Sequence, residues 1–298
     1  MTQLPSPAGL ARPLIADGAM GTALFGLGMP IGEAPEAWLL TDEGAAAVTS
    51  VHRSHIGAGS QIILTSTFGG NPQRLVGSEI EGRSDDVSRA AVGAARAAAD
   101  AGGADGSAVT VAGSMGPTGG LLVPYGLLDP GEVRAVYAQQ AASLVAAGVD
   151  VLWVETMMDL REAVAAVEGA REAAPGIPVI ATLVFANGRT MFGDRPQAAA
   201  EALAALGVAG IGANCGDGFG PVLDVLETLA AAAPGLHLVA KANAGIPEGN
   251  AEGLTVYPGT PQEAADYARR AADAGATIIG GCCGTTAEHL RAIGAVLT

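Results

Sequence analysis

Short apolar segments alternate with Ala-rich segments of helical periodicity along the 298 residues, and this alternation restricts the fold more than any other feature. The helical segments end in glycine before the next apolar run, as in Ala58-Gly59-Ser60, Ala147-Gly148-Val149 and Ala274-Gly275-Ala276. Parallel strands need helical crossovers of this kind. Eight such units in about 250 residues or more are typical of an α/β protein of the (β/α)8 TIM barrel type. A doubly wound sheet is the alternative.

The predicted strands cover eight segments, namely 14–17, 61–65, 108–113, 151–155, 178–183, 207–213, 237–241 and 277–280. Helices are predicted between them, for example over 130–147 and 261–274. No stretch rich in Pro, Gly or Ser divides the chain, so we predict one domain that covers residues 1–298.

Polar residues follow the predicted strands at the carboxyl ends, where barrel enzymes build their active sites. They lie far apart in the sequence, and the barrel brings them to one rim. The residues at this rim are Asp17, Thr67, Glu155, Asn214, Cys215, Lys241, Cys282 and Cys283. We therefore expect the thiols and the two carboxylates to share one mouth.

All three cysteines of the chain lie in glycine-bracketed turns at predicted strand ends. Cys282 and Cys283 are adjacent, which does not suit disulfide geometry. As thiolates, both can bind one soft cation, with Cys215 as a third ligand. Three sulfur ligands leave one tetrahedral position open, and an open position marks a catalytic zinc site. The alternative interpretation is that the cysteines are small, buried apolar residues.

The composition excludes several classes of partner. A net charge of −15 and a pI near 4.5 argue against nucleic acid or an anionic membrane surface. No apolar stretch is long enough for a membrane span, and the first residues show no secretory signal. Three cysteines do not form a disulfide framework. We therefore expect a cytoplasmic protein. Its core should be aliphatic, because aromatic residues make up only 4% of the chain.

Seven short motifs occur in an order that is similar to one known family. They are DGAMGT (17–22), TSTFGGN (65–71), GSMGPTG (113–119), VET (154–156), GANCG (212–216), NAGIP (243–247) and GGCCGTT (280–286). The chain resembles the homocysteine S-methyltransferase family from about residue 12 to 297. That family includes betaine–homocysteine methyltransferases and the homocysteine-binding module of cobalamin-dependent methionine synthase. The motifs look most like those of the bacterial betaine–homocysteine enzymes.

The resemblance implies a (β/α)8 barrel with Zn²⁺ on Cys215, Cys282 and Cys283 and with homocysteine sulfur as the fourth ligand. A free thiol is mostly protonated at neutral pH, whereas the thiolate is the nucleophile. A bound Zn²⁺ removes that proton, so no separate general base is needed. The thiolate then takes a methyl group and becomes methionine.

The resemblance also implies how the rest of homocysteine is held. Asp17 and Glu155 resemble the carboxylates that bind its ammonium group; the alternatives are a turn residue and a surface charge. The backbone N–H groups around Ala19 and Met20 are expected to receive its carboxylate, because small residues allow close approach. Two further candidates, which can equally be structural turn residues, are Thr67 and Asn214.

Betaine is the favoured methyl donor, and its quaternary ammonium is best recognised by an aromatic cage. Two positions that are aromatic in the animal betaine enzyme are Gly69 and Thr156 here. Other aromatic candidates are Trp38, Phe25, Tyr125, Phe219 and Tyr257. Because Glu-Thr after the fourth strand also occurs in cobalamin-dependent synthases, methylcobalamin on a separate corrinoid protein is an alternative donor. S-Methylmethionine and dimethylsulfoniopropionate are two more.

Two other functions compete with methyl transfer. Lys241, the only lysine of the chain, could form a Schiff base if burial lowered its pKa. A non-enzymatic, zinc-binding or thiol-sensing barrel would need a fourth protein ligand, for which we find no candidate. His52 and His55 lie in a helix away from the strand ends, so we assign them packing or surface roles rather than metal binding.

Overall fold

The computed structural model of the protein describes residues 4–103, 106–249 and 255–297. Eight parallel strands form the central sheet: β1 Leu14–Ile15, β2 Ile62–Leu64, β3 Thr110–Met115, β4 Val151–Met157, β5 Val179–Leu183, β6 Gly210–Cys215, β7 His237–Ala242 and β10 Ile278–Gly281. Their order is β1-β10-β7-β6-β5-β4-β3-β2, and a parallel bridge between Ala16 and Ile62 joins the two edges. This closure confirms the (β/α)8 barrel, because a doubly wound sheet keeps two open edges.

Helices alternate with the strands: α1 Gly21–Gly26, α2 Pro35–Trp38, α3 Asp42–Gly57, α4 Ser84–Ala99, α5 Pro130–Ala147, α6 Leu160–Ala173, α7 Pro196–Ala205, α8 Phe219–Ala232, α9 Pro261–Asp273 and α10 Ala287–Val296. Local capping fixes several of their ends. The Asp129 carboxylate accepts from the N–H of Gly131 at the start of α5, and Gly148 ends that helix at φ 104°. Thr260 and Glu263 form a capping box at the start of α9.

Several strand boundaries differ from the predicted ones, and the largest shift concerns β6. We predicted a strand over 207–213, but β6 extends to Cys215 because Asn214 and Cys215 pair in register with Lys241 and Ala242 of β7. Cys215 is therefore the last strand residue rather than a turn residue. The structure also contains a short antiparallel hairpin, β8 Glu248–Gly249 with β9 Thr255–Val256, which the sequence did not predict.

The core is aliphatic, as expected, and lies mainly between the strands and the surrounding helices. A smaller cluster fills the barrel interior, with Trp153 as its largest side chain. Lys241 Nζ lies 5.8 Å from the centre of the Trp153 ring, so a charged group also occupies this interior. None of the helices in the described part of the chain combines the length and apolar character that a membrane-crossing helix requires.

Candidate metal and substrate site

The three thiols meet at the carboxyl-terminal mouth of the barrel. Cys215 ends β6, and Cys282 and Cys283 follow β10; β7 lies between these two strands. Their Sγ atoms all lie within 4.8 Å of one another, and all three residues are half-buried. Three soft sulfur atoms at this separation could hold a metal ion and suit Zn²⁺, for which they would supply three ligands. Among the residues that the structure describes, no His, Cys, Asp or Glu joins them as a fourth member of the group.

Backbone hydrogen bonds hold the turn that carries Cys282 and Cys283. The N–H of Cys282 donates to the carbonyl of Ala242 at 2.8 Å, and the Thr285 hydroxyl donates to the carbonyl of Cys282 at 2.6 Å. Gly284 has φ 77°, and a Cβ there would lie 2.2 Å from the Cβ of Tyr257. Only glycine fits this position, which explains why a glycine follows the cysteine pair.

A neutral donor lies beside each sulfur. Asn243 Nδ2 lies 3.5 Å from Cys215 Sγ, and Asn214 Nδ2 lies 3.9 Å from Cys282 Sγ. The Tyr257 hydroxyl contacts the Cys283 thiol. Such donors orient metal ligands and stabilise their negative charge.

The thiols share protons as one cluster. Hydrogen bonds from Cys282 and Cys283 lower the pKa of Cys215 to about 3. The reciprocal hydrogen bond with Cys215 raises the pKa of Cys282 well above its usual value and that of Cys283 to about 11. These hydrogen bonds favour a negative charge on Cys215 over one on Cys282 or Cys283.

Asp17 forms a buried ion pair below this mouth. Its Oδ1 accepts from Lys241 Nζ at 2.5 Å, and its Oδ2 accepts from the N–H of Leu64 at 2.7 Å. Burial by itself would lower the pKa of Lys241, but the charges of Asp17 and Glu155 outweigh it and raise that pKa. The amine thus stays protonated, which disfavours a Schiff-base role. Both Asp17 oxygens are engaged within the protein, so its contact with a substrate ammonium stays a prediction.

Glu155 lies in the same mouth and has fewer partners. Its Oε1 accepts a short hydrogen bond from the Ser114 hydroxyl. Burial raises the pKa of Glu155 to about 7, against the opposing effects of Lys241 and Ser114, while the charges of Asp17 and Cys215 raise it further. A buried carboxylate with an elevated pKa is well suited to accept a cationic group.

Two of the other predicted substrate-binding residues, Ala19 and Thr67, form hydrogen bonds within the protein. The N–H of Ala19 donates to the carbonyl of Thr285 at 3.2 Å. The Thr67 hydroxyl, which is fully buried, donates to the carbonyl of Ser114 at 2.7 Å. Met20 lies just before α1 and is half-buried. Substrate binding by these residues stays a prediction.

The side-chain amide of Asn214 forms two hydrogen bonds with Thr156. Asn214 Oδ1 accepts from the N–H of Thr156 at 2.9 Å, and Asn214 Nδ2 donates to Thr156 Oγ1 at 2.7 Å. The contact reaches from β6 past β5 to β4. Thr156 and Cys215 both have left-handed backbones, at φ 61° and φ 63°. Such conformations cost about 1–3 kcal/mol each in non-glycine residues and persist where the surroundings fix them.

Of the five aromatic cage candidates, Tyr257 is placed at the thiols. Trp38 is buried in a separate cluster beside α3, and Phe219 packs on Tyr267. Tyr125 pairs with Phe192 at 5.6 Å between ring centres, and the Arg161 guanidinium lies over both rings. Phe25 is half-exposed in α1. At Gly69 a side chain would meet Glu36 and Arg74, so those two residues fill the space around this position.

His52 and His55 are both buried in α3. Burial lowers the pKa of each to about 4. Neither ring nitrogen of His52 has a hydrogen-bond partner among the described residues, and the same holds for Nδ1 of His55. Their side chains pack in the core rather than on the surface.

Sequence reasoning missed several residues of this site. Ser114, Asn243 and Tyr257 contact the predicted residues, yet we assigned no site role to the first two and only a possible cage role to the third. Asn243 offered a signal, because it opens the NAGIP motif at the end of β7. Tyr257 follows the hairpin that was not predicted, so no strand end pointed to it.

Comparison with known proteins now defines the class of this barrel. A family model described as homocysteine S-methyltransferase matches residues 14–297, so the chain belongs to that family. It is 33% identical over 296 residues to methionine synthase of Mycobacterium tuberculosis (strain ATCC 25618 / H37Rv), covering 96% of this chain and 25% of the relative. Methionine synthase of Mycobacterium leprae (strain TN) is 32% identical, covering 96% and 24%. The chain spans about a quarter of the length of these curated relatives.

Solved structures give the same fold. The homocysteine methyltransferase MmuM from Escherichia coli, in its oxidized form, superposes with a TM-score of 0.81 at 25% identity, covering 95% of both chains. Its metallated form superposes with a TM-score of 0.81 at 24% identity, covering 95% of this chain and 96% of that one.

Proposed function

We propose that this protein transfers a methyl group to the sulfur of homocysteine and so makes methionine, with Zn²⁺ held by Cys215, Cys282 and Cys283. One observation carries the proposal: three sulfurs lie within 4.8 Å of one another in the mouth that also holds Glu155. Membership of the homocysteine S-methyltransferase family supports the choice of substrate.

Each group in the mouth has a role in this proposal. Cys215, Cys282 and Cys283 would hold Zn²⁺, and its positive charge would favour the ionised form of the substrate thiol. The Glu155 carboxylate accepts the substrate ammonium, and the Ser114 hydroxyl orients that carboxylate. Asp17 neutralises Lys241 beneath them. The N–H of Met20 remains a candidate for the substrate carboxylate.

The chemical step is an in-line substitution. The homocysteine thiolate forms a bond to the methyl carbon while the bond from that carbon to the donor breaks. The bonding electron pair leaves with the donor, which loses one positive charge if it is an ammonium or sulfonium compound. With betaine the second product is dimethylglycine. The protein supplies position and charge rather than a general base.

Two donors are proposed, each from a different observation. Betaine follows from the motif resemblance, although Tyr257 is the only cage candidate with a contact to a thiol among the described residues. Protein-bound methylcobalamin is the second candidate. It is favoured by the Glu155-Thr156 pair and by the 33% identity to a methionine synthase over 96% of this chain.

A donor panel tests the proposal. Zinc-loaded protein is incubated with homocysteine and betaine, S-methylmethionine, dimethylsulfoniopropionate or methylcobalamin, and methionine is quantified. Turnover with betaine together with dimethylglycine formation supports the first donor, and turnover only with methylcobalamin supports the second. Absence of methionine with every donor, in protein that has bound zinc, would overturn the proposed activity.

A further inference from the structure

A substrate that contacts both Glu155 and the thiols needs these two groups at a fixed separation. In homocysteine a short aliphatic chain joins the ammonium and the sulfur. The protein must therefore hold its carboxylate and its thiols at a spacing that this chain can span, because a small misplacement weakens both contacts at once. This inference rests on the function proposed above.

Two hydrogen bonds link the residues that neighbour these two groups. Glu155 is followed by Thr156, and Cys215 is preceded by Asn214, so the pair Thr156–Asn214 joins the residues next to both functional side chains. Two hydrogen bonds of 2.9 Å and 2.7 Å run in opposite directions within this pair. They tie the end of β4 to the end of β6, although β5 separates these strands.

The backbone on both sides of the link is also fixed. Thr156 and Cys215 adopt left-handed conformations, which a β-branched or ordinary residue rarely occupies without support. The Asn214 amide supports the first directly, since it accepts from the N–H of Thr156. Its Nδ2 also lies 3.9 Å from Cys282 Sγ, so the same amide reaches a second thiol.

We propose that Thr156 and Asn214 are positioning residues that set the distance between the ammonium site at Glu155 and the thiol cluster. Neither side chain needs to touch the reacting atoms. The link instead holds the two sites at a spacing that one ligand can span. The ammonium group of homocysteine can then bind at Glu155 while its sulfur binds at the thiol cluster, and both contacts add to the affinity.

The test compares two ligands that differ in one group. 4-Mercaptobutanoate is homocysteine without the amino group, so the ratio of the two dissociation constants measures the contribution of the ammonium site. Both ligands are titrated into Co²⁺-substituted protein, and binding is followed by the sulfur-to-cobalt absorption. Thr156→Val keeps the β-branched shape but removes the acceptor of the Asn214 amide, whereas Thr156→Ser keeps a hydroxyl there. Thr190→Val is the matched control, because it removes a loop hydroxyl that donates to Asp194 at 2.7 Å.

In the wild type we expect homocysteine to bind about 10-fold or more tighter than 4-mercaptobutanoate. Thr156→Val should reduce this ratio several-fold while the affinity for 4-mercaptobutanoate stays the same, and Thr156→Ser and Thr190→Val should retain it. In a Glu155→Gln background, Thr156→Val should have no further effect on the ratio. An unchanged ratio in Thr156→Val, or an equal loss of affinity for both ligands, would overturn the positioning role. A wild type without any preference for homocysteine would instead overturn the proposed function.

Discussion

Two walls of the barrel mouth differ in the groups that lie beside their negatively charged side chains. The thiol wall consists of Cys215, Cys282 and Cys283, which are half-buried and face one another within 4.8 Å. The carboxylate wall consists of Asp17 and Glu155, which are 3% and 9% exposed. Within the part of the chain that the structure describes, the side-chain amides of Asn214 and Asn243 lie beside two of these sulfurs, and Lys241 is close enough to Cys282 for their charges to interact. The carboxylate wall contains its own cation, because Lys241 lies against Asp17.

This difference bears on the roles proposed for the two walls. Three neighbouring thiols of this kind could hold a metal ion, which binds them as thiolates. On the other wall, Asp17 is already neutralised, and Glu155 keeps one short hydrogen bond from a neutral hydroxyl. Glu155 therefore has fewer hydrogen-bond partners within the protein than Asp17, whose two oxygens accept from Lys241 and from the N–H of Leu64.

The largest effect is expected on the thiol wall. Cys215→Ala, Cys282→Ala or Cys283→Ala should each abolish zinc retention and methionine formation, because each removes a metal ligand. Zinc per chain and methionine yield are measured after dialysis, with exposed Met191→Ala on the same face as a control. A variant that lacks zinc but retains full turnover would remove the metal from the mechanism.

On the carboxylate wall, Asp17→Asn should lower the free energy of unfolding by about 3–5 kcal/mol, because it leaves the buried ammonium of Lys241 without its partner. Chemical denaturation measures this loss. The double variant with Lys241→Met should recover part of it, since the unpaired charge is gone. Asp86→Asn, on an exposed helix surface, should change little. If Asp17→Asn proves as mild as Asp86→Asn, the two walls do not differ as described.

The histidines beside Asp17 make this wall sensitive to acid. The folded-state pKa of His52 and of His55 is about 4, below the usual 6.5. The unfolded chain therefore binds protons between pH 6.5 and pH 4 while the folded chain does not, so stability falls as the pH is lowered through this window. Each histidine contributes about 3 kcal/mol to the loss. Denaturation at pH 7.5 and pH 4 should show a smaller loss in His52→Leu, and an identical loss would contradict this assignment.

Glu155→Gln should raise the homocysteine KM by about 10–100-fold, which is the loss of a charge-assisted hydrogen bond of about 1.5–3 kcal/mol. In the wild type the same KM should rise as the pH falls below about 7, because protonation of Glu155 removes its negative charge. Initial rates between pH 6 and pH 8.5 measure both effects. The variant should lose this pH dependence, and a variant that retains it would exclude Glu155 as the ammonium site.

The thiol wall could be predicted from the sequence, whereas the carboxylate wall could be predicted only in part. Glycines on both sides of the cysteine pair mark a tight turn after a strand, and strand ends of a barrel meet at one rim. That reasoning located Cys215, Cys282 and Cys283 without knowledge of their separation. It also placed Asp17 and Glu155 at the same rim.

The pairing of Asp17 with Lys241 could not be predicted in this way. The two residues are 224 positions apart, and their contact depends on which side chains point into the barrel interior. The Thr156–Asn214 contact joins β4 to β6, and Thr156 has a left-handed backbone, which no residue pattern around Thr156 indicates. Tyr257 lies beyond a hairpin whose strands are two residues each, too short to give a periodic signal.

The buried position of Lys241 gives the folded chain an unusual chemical property. Lys241 is the only lysine in the sequence and is 2% exposed, so the native protein presents no side-chain amine to an acylating reagent. Incorporation of one acyl group at Lys241 therefore requires the barrel to open. The rate at which mass spectrometry detects acylated Lys241 thus reports how often the centre of the barrel opens, and no label has to be introduced into the protein.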